Sequence, residues 1–364
     1  MNQLPDELIS DLLGIGIPVH TDAHTRGLYA TDASIYQVAP IGVVVPSSIE
    51  QIPEILRLCS RYQVPVLPRG GATSLAGQCV NAALVLDVSP NCCELEWTLS
   101  ERKACYVQPG LTVDDLNDRI AETGLFFAPD PSTARQASIG GCIGNNAAGV
   151  HSVLYGRTSE NINSIKACLA DGRVARFGPG AAEDDPVTRE LTLRVVSVVR
   201  RYQDQIRERF PKTKRRCSGY QLDVILEQLE ANDWDINRVN LAPLLCGSEG
   251  TLAVTLGAEV KLHPIPSRKG LGVLSFDSIE DAIRAVEPML ALHPAGIELL
   301  DDLIMDLARG NKECAQYIAV LPDTNAKAVL FVEFFADDLQ SIESALDRVA
   351  ELLPSVPLAR FTDP

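Results

Sequence analysis

Residues Ala128 to Gly149 read APDPSTARQASIGGCIGNNAAG. The stretch is nearly free of charge. It is rich in residues with little or no side chain: Gly140, Gly141, Gly144 and Gly149, with Ser132, Thr133, Ser138, Ala147 and Ala148 among them. Small side chains let a backbone come very close to something flat or phosphorylated. Ser, Thr and the paired amides Asn145 and Asn146 add short hydrogen-bonding arms, and successive backbone N–H groups can form an anion nest. The competing reading is a solvent-exposed glycine-rich linker. Ile139, Cys142 and Ile143 interleave with the glycines as buried residues would, which favours a cradle.

A second glycine-rich stretch lies upstream. Val64 to Leu67 reads as a strand, and Pro68-Arg69-Gly70-Gly71-Ala72-Thr73-Ser74-Leu75-Ala76-Gly77-Gln78 follows it directly. A glycine-rich loop after a strand is a usual place to bind a phosphate. Gly70 and Gly71 would free backbone N–H groups, Thr73 and Ser74 would add hydroxyls, and Arg69 would supply local positive charge. No Gly-Lys-Ser/Thr follows, so this is not a Walker loop, and the GxGxxG spacing of a dinucleotide fingerprint is absent. An ordinary left-handed turn is the alternative for this loop by itself, but two such stretches stand in one chain.

Around the loop the order is β-α-β. Ile41 to Val45 reads as a strand, Ser48 and Gln51 fit a capping box, and Ile52, Ile55, Leu56, Cys59 and Tyr62 follow at helical spacing. Ala83 to Val88 is the next strand, giving a small, mainly parallel layer. Lys103 to Gln108 is a strand, and Thr112 caps a helix through Leu116 and Ile120 that Gly124 closes. Asp171-Gly172 between two strand-like runs signals a hairpin. Asp185 and Pro186 open a helix with Leu191, Val195, Val198, Val199, Tyr202 and Ile206 on its expected inner face. The basic run Lys212, Lys214, Arg215 and Arg216 reads as a solvated loop, with ligand contact open because Ser218-Gly219-Tyr220 follows. Glu249, between Gly247 and Gly250, reads as a turn residue. The rhythm changes at His263-Pro264-Ile265-Pro266-Ser267, a linker. Beyond it three strands and three helices can be read, with no closing strand.

The chain has 364 residues, 46% of them hydrophobic, enough for two or three domains with sizeable cores. The net charge of −16 argues against nucleic acid or an anionic membrane as partner. An anionic ligand must therefore be held by local donors. The first residues lack the pattern of a secretory signal, and no run approaches the roughly 18 apolar residues of a membrane span. The ten cysteines form no CxxC pair and the five histidines no HxH or HxxxH pair. Reduced, buried thiols in a cytoplasmic protein are expected, with peripheral membrane attachment as the variant, and no metal site.

Taken together, Pro46-Ser47-Ser48, Pro68 to Gln78, Asp130 to Gly149, Tyr155-Gly156-Arg157, Ser218-Gly219-Tyr220 and Gly247 to Thr251 match a family in order and spacing. The chain resembles the FAD-linked oxidoreductases of the vanillyl-alcohol oxidase (PCMH-type FAD-binding) superfamily, over roughly residues 30–265. Within it, the D-lactate, glycolate and D-2-hydroxyglutarate dehydrogenase branch is most similar. The wording of the loops is similar to that of large bacterial flavoproteins in which an iron–sulfur domain follows.

The resemblance implies an α+β fold: a PCMH-type FAD-binding domain of two subdomains, 1–100 and 101–265, then a partial ferredoxin-like cap at 268–364. It implies that Arg69, Gly70, Gly71, Ala72, Thr73 and Ser74 grip the FAD pyrophosphate, with Gln78 at the end of their loop. Pro129, Asp130, Ser132 and Thr133, with Gly140, Gly141, Gly144, Asn145, Asn146 and Gly149, would line the ribityl chain and the isoalloxazine. Gly141 is expected to leave volume for the flavin, in a backbone that could be left-handed. Gly250 and Val254 would present backbone to the adenosine or the flavin edge. Relatives that attach FAD covalently carry a histidine in the first loop. Ala72 follows Arg69-Gly70-Gly71 here, so the FAD is expected to be noncovalent. The Gly-Asp-Gly-Asn-His-like motif of the hydroxy-acid branch is absent from these residues. Either the chain is the N-terminal piece of a larger protein, or it lacks the usual base, and the chain alone is expected to turn over slowly. His151 is the candidate base, a structural histidine being its other reading.

The implied activity is hydride transfer from a small D-2-hydroxy acid to the flavin, with an unassigned electron acceptor, such as an iron–sulfur domain of the same polypeptide. A non-catalytic FAD-binding subunit and a nicotinamide-dependent reductase are the alternatives.

Overall fold

The computed structural model describes residues 3–97, 103–213, 215–319 and 321–362, so Lys214 lies outside the described residues. Two compact units divide the chain: residues 1–149 with 156–263, and residues 150–155 with 264–364. The short segment Val150–Tyr155 thus counts with the second unit although both its chain neighbours belong to the first.

The first unit contains two sheets. One has four strands in the order Val19–His20, Gly42–Val44, Leu84–Asp87, Val66–Arg69, the last three mutually parallel. Gly42–Val44 and Leu84–Asp87 are buried at every position, as a parallel layer covered on both faces requires. Helix Ile52–Arg61 covers one face through Ile52, Ile55, Leu56 and Cys59, helped by Leu8 and Leu12 of helix Asp6–Gly14. The capping box expected at Ser48 does not form. A turn of 3₁₀ helix over Ile49–Gln51 puts Gln51 at the N-cap, and its Oε1 accepts from Ser47 N at 2.8 Å.

The other sheet has five antiparallel strands in the order Leu95–Trp97, Ala104–Val107, Val254–Lys261, Ile162–Cys168, Val174–Phe177. It begins before residue 100, and its Cys168, Val254 and Leu256 share a core with Leu84 and Leu86 of the first sheet. Cys105, Val107, Ile165, Ala167, Ala175, Phe177, Ala258 and Val260 turn one face to the helices. The Asp171-Gly172 hairpin forms. Gly172 has φ 84°, and a Cβ there would sit 2.7 Å from Pro53 O.

Helix Pro186–Arg209 starts at the expected cap, with Asp185 accepting from Val187 N and Thr188 N. Its inner face differs from the one the apolar spacing indicates. Thr188, Thr192, Val196, Val199 and Ile206 are buried, whereas Val198 and Tyr202 are exposed. The buried threonines are satisfied locally: Thr192 Oγ1 donates to Thr188 O at 2.8 Å and Thr188 Oγ1 to Arg176 O at 2.7 Å. A hydroxyl with a backbone partner can occupy a core position at little cost.

In the second unit four antiparallel strands stand in the order Gly296–Asp301, Ala328–Ala336, Arg268–Phe276, Leu358–Thr362. Helices Ile279–Leu290 and Leu339–Leu352 bury Ala282, Met289, Ile342 and Leu346 on one face, against Leu274, Leu330, Val332 and Phe334. This is the ferredoxin-like arrangement. The expectation of a missing closing strand is wrong: Leu358–Thr362 pairs with Arg268–Phe276 from Gly270↔Thr362 to Leu274↔Leu358. Its residues are exposed or half-buried, so it lacks the run of apolar residues by which the other strands were read.

Candidate functional site

The stretch that opens the sequence reading folds as a helix, Ile139–Asn145. Ser138 Oγ caps it by accepting from Gly141 N at 3.2 Å. Asn146, with φ 46°, ends it in the left-handed conformation. Ile139, Cys142 and Ile143 are the buried face that their interleaving suggested. Gly141 therefore has no left-handed backbone, and only the volume it leaves bears on a ligand.

The loop after strand Val66–Arg69 lies against this helix so closely that side chains are excluded. A Cβ on Gly71 would overlap Gln136 O, one on Gly70 would overlap Ser138 Oγ, and one on Gly140 would come within 2.6 Å of Pro109 Cβ. These three glycines serve close packing, Gly71 against backbone and Gly70 and Gly140 first against the side chains of Ser138 and Pro109. Gly141 and Gly144 differ. A Cβ on Gly141 would meet only Ser138 Oγ, at 3.2 Å, and one on Gly144 only Glu249 Cα, at 3.8 Å.

A third element closes the arrangement. In the turn after Cys246, Gly247 N donates to Ile143 O and Glu249 N to Gly144 O, both at 2.9 Å. The turn thereby satisfies carbonyls at the end of the short helix. Gly247, Glu249 and Gly250 all have positive φ, which allows the tight reversal.

Loop, helix and turn surround a cavity of about 440 Å³, within the range of small-molecule sites. Arg69, Gly70, Gly71, Ala72, Thr73, Ser74 and Gln78 line it from the loop. Thr133, Gly140, Gly141, Gly144 and Asn145 line it from the second stretch, and Gly250 and Val254 from the turn and its strand. Pro129, Asp130, Ser132, Asn146 and Gly149 are not in its wall. A Cβ on Gly149 would overlap Asp130, so the two ends of the stretch are tied to each other instead. Asn146 is fully buried, with its Oδ1 accepting from Ser159 N at 2.9 Å. Pro131 and Cys142, inside the two runs Pro129 to Thr133 and Gly140 to Asn146, also line it, and wall residues that the sequence reading missed include Ser138, Ser248, Glu249 and the thiol Cys79. Ser138 and Glu249 had a signal in the sequence, a small polar residue before a helix and a residue between two glycines.

The donors are arranged differently from the expectation. Arg69 lines the cavity, but its Nη1 donates to Cys79 O at 2.8 Å and Tyr29 O at 3.2 Å, and its Nη2 to Thr31 O at 2.8 Å. It braces the loop, and three carbonyls absorb much of its donor capacity. Burial and a hydrogen bond to Asp87 push the Tyr29 phenol beside it up to about 12. By contrast, the N–H groups of Gly71, Ala72 and Thr73 donate to nothing among the described residues. Ala72 has φ 53°, an uncommon geometry for a residue with a Cβ. Ser74 Oγ donates to Gln78 Oε1, and Gln78 Nε2 reaches Glu249 Oε1 at 3.3 Å and Asn145 Oδ1 at 3.4 Å. Burial raises both wall thiols, Cys142 to about 12.

His151 belongs to the second unit and is not in the cavity wall. Its Nε2 lies 2.8 Å from Glu333 Oε2, and its ring stacks on Phe335 with centroids 5.0 Å apart. The basic run after residue 210 is not simply solvated. Arg215 donates to Ala148 O at 2.8 Å, and Arg216 pairs with Asp223 and covers the Phe210 ring. Among the described residues no group of three or more His, Cys, Asp or Glu could hold a metal ion, and no helix is long and apolar enough to cross a membrane.

Residues 40–178 match the FAD binding domain family, and residues 265–362 match the family of FAD linked oxidases, C-terminal domain. The chain thus carries an FAD binding domain and, after it, the C-terminal domain found in FAD linked oxidases. It is 30% identical to D-2-hydroxyglutarate dehydrogenase of Escherichia coli (strain K12), over 90% of this chain and 33% of that protein. It is 29% identical to the glycolate oxidase subunit GlcD of the same organism, over 92% of this chain and 56% of that subunit. The chain thus spans about a third to just over half the length of these relatives. Among solved structures, an alkyldihydroxyacetonephosphate synthase has the same fold, with a TM-score of 0.69 and 17% identity over 100% of this chain and 62% of that one.

The cavity suits FAD on three counts. Its wall is built largely of residues with short side chains, Gly141 and Gly144 stand in it without a Cβ, and three consecutive wall residues, Gly71, Ala72 and Thr73, have N–H groups that donate to nothing among the described residues, a set that suits an anion.

Proposed function

We propose that the protein is an FAD-dependent dehydrogenase of small D-2-hydroxy acids, of the size of D-lactate, glycolate or D-2-hydroxyglutarate. The observation that carries the reading is that Gly71, Ala72 and Thr73, whose N–H groups donate to nothing among the described residues, line one cavity with Gly141 and Gly144. Kinship with enzymes named for 2-hydroxy acids supports the substrate class.

In this reading the three N–H groups and the hydroxyls of Thr73 and Ser74 hold the pyrophosphate. Backbone donors suffice for this in a chain of net charge −16. Gly141 and Gly144 leave room for the ring system, and Gly250 and Val254 offer backbone at its edge. When bound, FAD accepts the hydride of the carbinol carbon. His151 takes the hydroxyl proton at an imidazole nitrogen. The electrons then pass to an acceptor outside these residues, for which an iron–sulfur domain is our expectation. Attachment is noncovalent: Ala72 stands where covalent relatives carry histidine, and the wall thiols are held neutral by burial. Ten free thiols support residence in the cytoplasm.

The test is anaerobic mixing of the flavin-loaded protein with D-lactate, glycolate and D-2-hydroxyglutarate, following bleaching of the flavin. Bleaching by at least one acid supports the reading. Bleaching by NADPH and by none of the acids replaces it with a nicotinamide-dependent reductase. Acid precipitation should leave the yellow colour in the supernatant, and colour in the pellet would end the noncovalent assignment.

A further inference from the structure

The turn after Cys246 holds one residue that its backbone does not call for. Glu249 has φ 53°, a left-handed conformation that is strained for a residue with a Cβ and suits glycine. Gly247 and Gly250 also have positive φ, and they are glycine. A residue that only reversed the chain would be a third glycine. Glu249 instead brings a carboxylate, and it does so in the wall of the cavity. Its backbone is fixed, since Glu249 N donates to Gly144 O at 2.9 Å. Its side chain is tied to the other two elements of the wall. Gln78 Nε2 donates to Glu249 Oε1 at 3.3 Å and reaches Asn145 Oδ1 at 3.4 Å, while Ser74 Oγ donates to Gln78 Oε1. Two acceptors on one side and a hydroxyl on the other set which end of the Gln78 amide faces the carboxylate. Among the described residues, every hydrogen bond between the loop Gly70–Gln78 and the helix or the turn comes from this one amide. Glu249 Oε2 accepts nothing, and no lysine, arginine or histidine pairs with the carboxylate, among the described residues.

A carboxylate without a counter-cation, in the wall of a cavity that suits an anionic dinucleotide, needs a use. It repels a pyrophosphate, so it takes no part in the work of the N–H groups of Gly71, Ala72 and Thr73. A carboxylate accepts hydrogen bonds and donates none, so the group that meets it is a donor. FAD offers a ring N–H, the adenine amine and two runs of vicinal hydroxyls, on the adenosine ribose and on the ribityl chain. Vicinal hydroxyls present two donors side by side, which matches the two oxygens of one carboxylate. An acidic side chain bonds a ribose hydroxyl in the dinucleotide sites of an unrelated fold. We propose that Glu249 is the acceptor for vicinal hydroxyls of the cofactor, with Gln78 as the positioning residue that holds the carboxylate in one orientation. The inference rests on the reading of the cavity as the FAD site. It adds selectivity to that site. The glycines and free N–H groups admit any flat or phosphorylated group of the right size, whereas Glu249 tests for a sugar hydroxyl.

Binding titrations of the intact chain, stripped of flavin, test this without any turnover. Flavin fluorescence gives the dissociation constants of FAD, of its analogue lacking the adenosine 2′-hydroxyl and of its analogue lacking the ribityl 2′-hydroxyl. Wild type should bind FAD roughly tenfold to a hundredfold more tightly than one of the two analogues, as a hydrogen bond to a charged group implies. The analogue that is rejected tells whether ribose or ribityl meets Glu249. Glu249→Gly should weaken FAD by a similar factor and bind FAD and that analogue alike. The same substitution relieves a left-handed residue of its Cβ, so its flavin-free form should melt level with wild type or above it. Affinity and stability thus move apart, which a merely structural role of Glu249 would not produce. Glu249→Gln should keep a few-fold preference, because a neutral amide still accepts a hydrogen bond. Gln78→Leu should weaken FAD less than Glu249→Gly does and retain part of the preference. Equal binding of FAD and both analogues by wild type overturns the inference, and so does a Glu249→Gly chain that keeps the wild-type preference. Should Glu249→Gly fail to fold, Glu249→Gln decides: a reduced preference supports the inference and an unchanged one overturns it. Wild type that binds none of the three flavins would refute the FAD cavity itself, and the inference with it.

Discussion

The loop Gly70–Gln78 and the helix Ile139–Asn145 are both glycine-rich and both face one cavity, yet their glycines do opposite things. Gly70 and Gly71 have no side chain because the helix side leaves no space for one. Gly141 and Gly144 have far more room: a Cβ would come to 3.2 Å from Ser138 Oγ, which a small movement of the hydroxyl relieves, and to an ordinary 3.8 Å from Glu249 Cα. The first kind of glycine secures the fold, and the second keeps a volume open. A glycine count cannot tell them apart, whereas the position of the nearest backbone can.

Gly71→Ala is the largest test of that distinction. Its Cβ would collide with a backbone carbonyl that cannot rotate away, so the wall must shift, at a cost of about 3 kcal/mol. The midpoint of urea unfolding should fall clearly, and flavin should be lost along with it. An unchanged midpoint would mean that the seam is looser than described. Gly141→Val should separate the two effects. A β-branched residue at a helical position costs only about 1 kcal/mol or less relative to other residues, so the chain should stay folded by circular dichroism while flavin occupancy drops to near zero. Wild-type occupancy in a folded Gly141→Val protein would place the flavin elsewhere. Ser138→Ala removes the cap of the short helix and should cost about 1 kcal/mol, with flavin bound more weakly but still present. Ala72→Gly should have the smallest effect and the opposite sign. It relieves a left-handed residue of its Cβ, and thermal unfolding should rise slightly or stay level at full flavin content. A drop by several degrees would show that Ala72 contributes packing that outweighs its strain.

Much of this was legible in the sequence because the signals were local. The alternation of Ile139, Cys142 and Ile143 with glycines marked the buried face, and Asp185-Pro186 and Asp171-Gly172 marked a helix start and a hairpin. The failures came from partners distant in the chain. Nothing near Arg69 announces that the carbonyls of Tyr29, Thr31 and Cys79 absorb its donors. Nothing near Gly71 names Gln136 as its neighbour. Buried threonines displaced the expected face of helix Pro186–Arg209, since their hydroxyls are hidden in backbone hydrogen bonds. Strand Leu358–Thr362 escaped notice because an exposed edge strand needs no apolar alternation. His151 was singled out for lying just past the glycine stretch, but its seat comes from Gly296 and its partner from Glu333.

The helix Ile139–Asn145 has seven residues, three of them glycine. Each glycine weakens a helix by about 1 kcal/mol relative to alanine, and a segment this short does not persist alone in water. Its order is therefore borrowed from the Gly70–Gln78 loop and the turn that receives Ile143 O and Gly144 O. That makes it a reporter of cooperativity. Its amides, those of Cys142 and Asn146 above all, should exchange with deuterium through a partial opening well below global unfolding. A ligand that spans loop and helix should slow them together, by the factor its affinity contributes to the closed form.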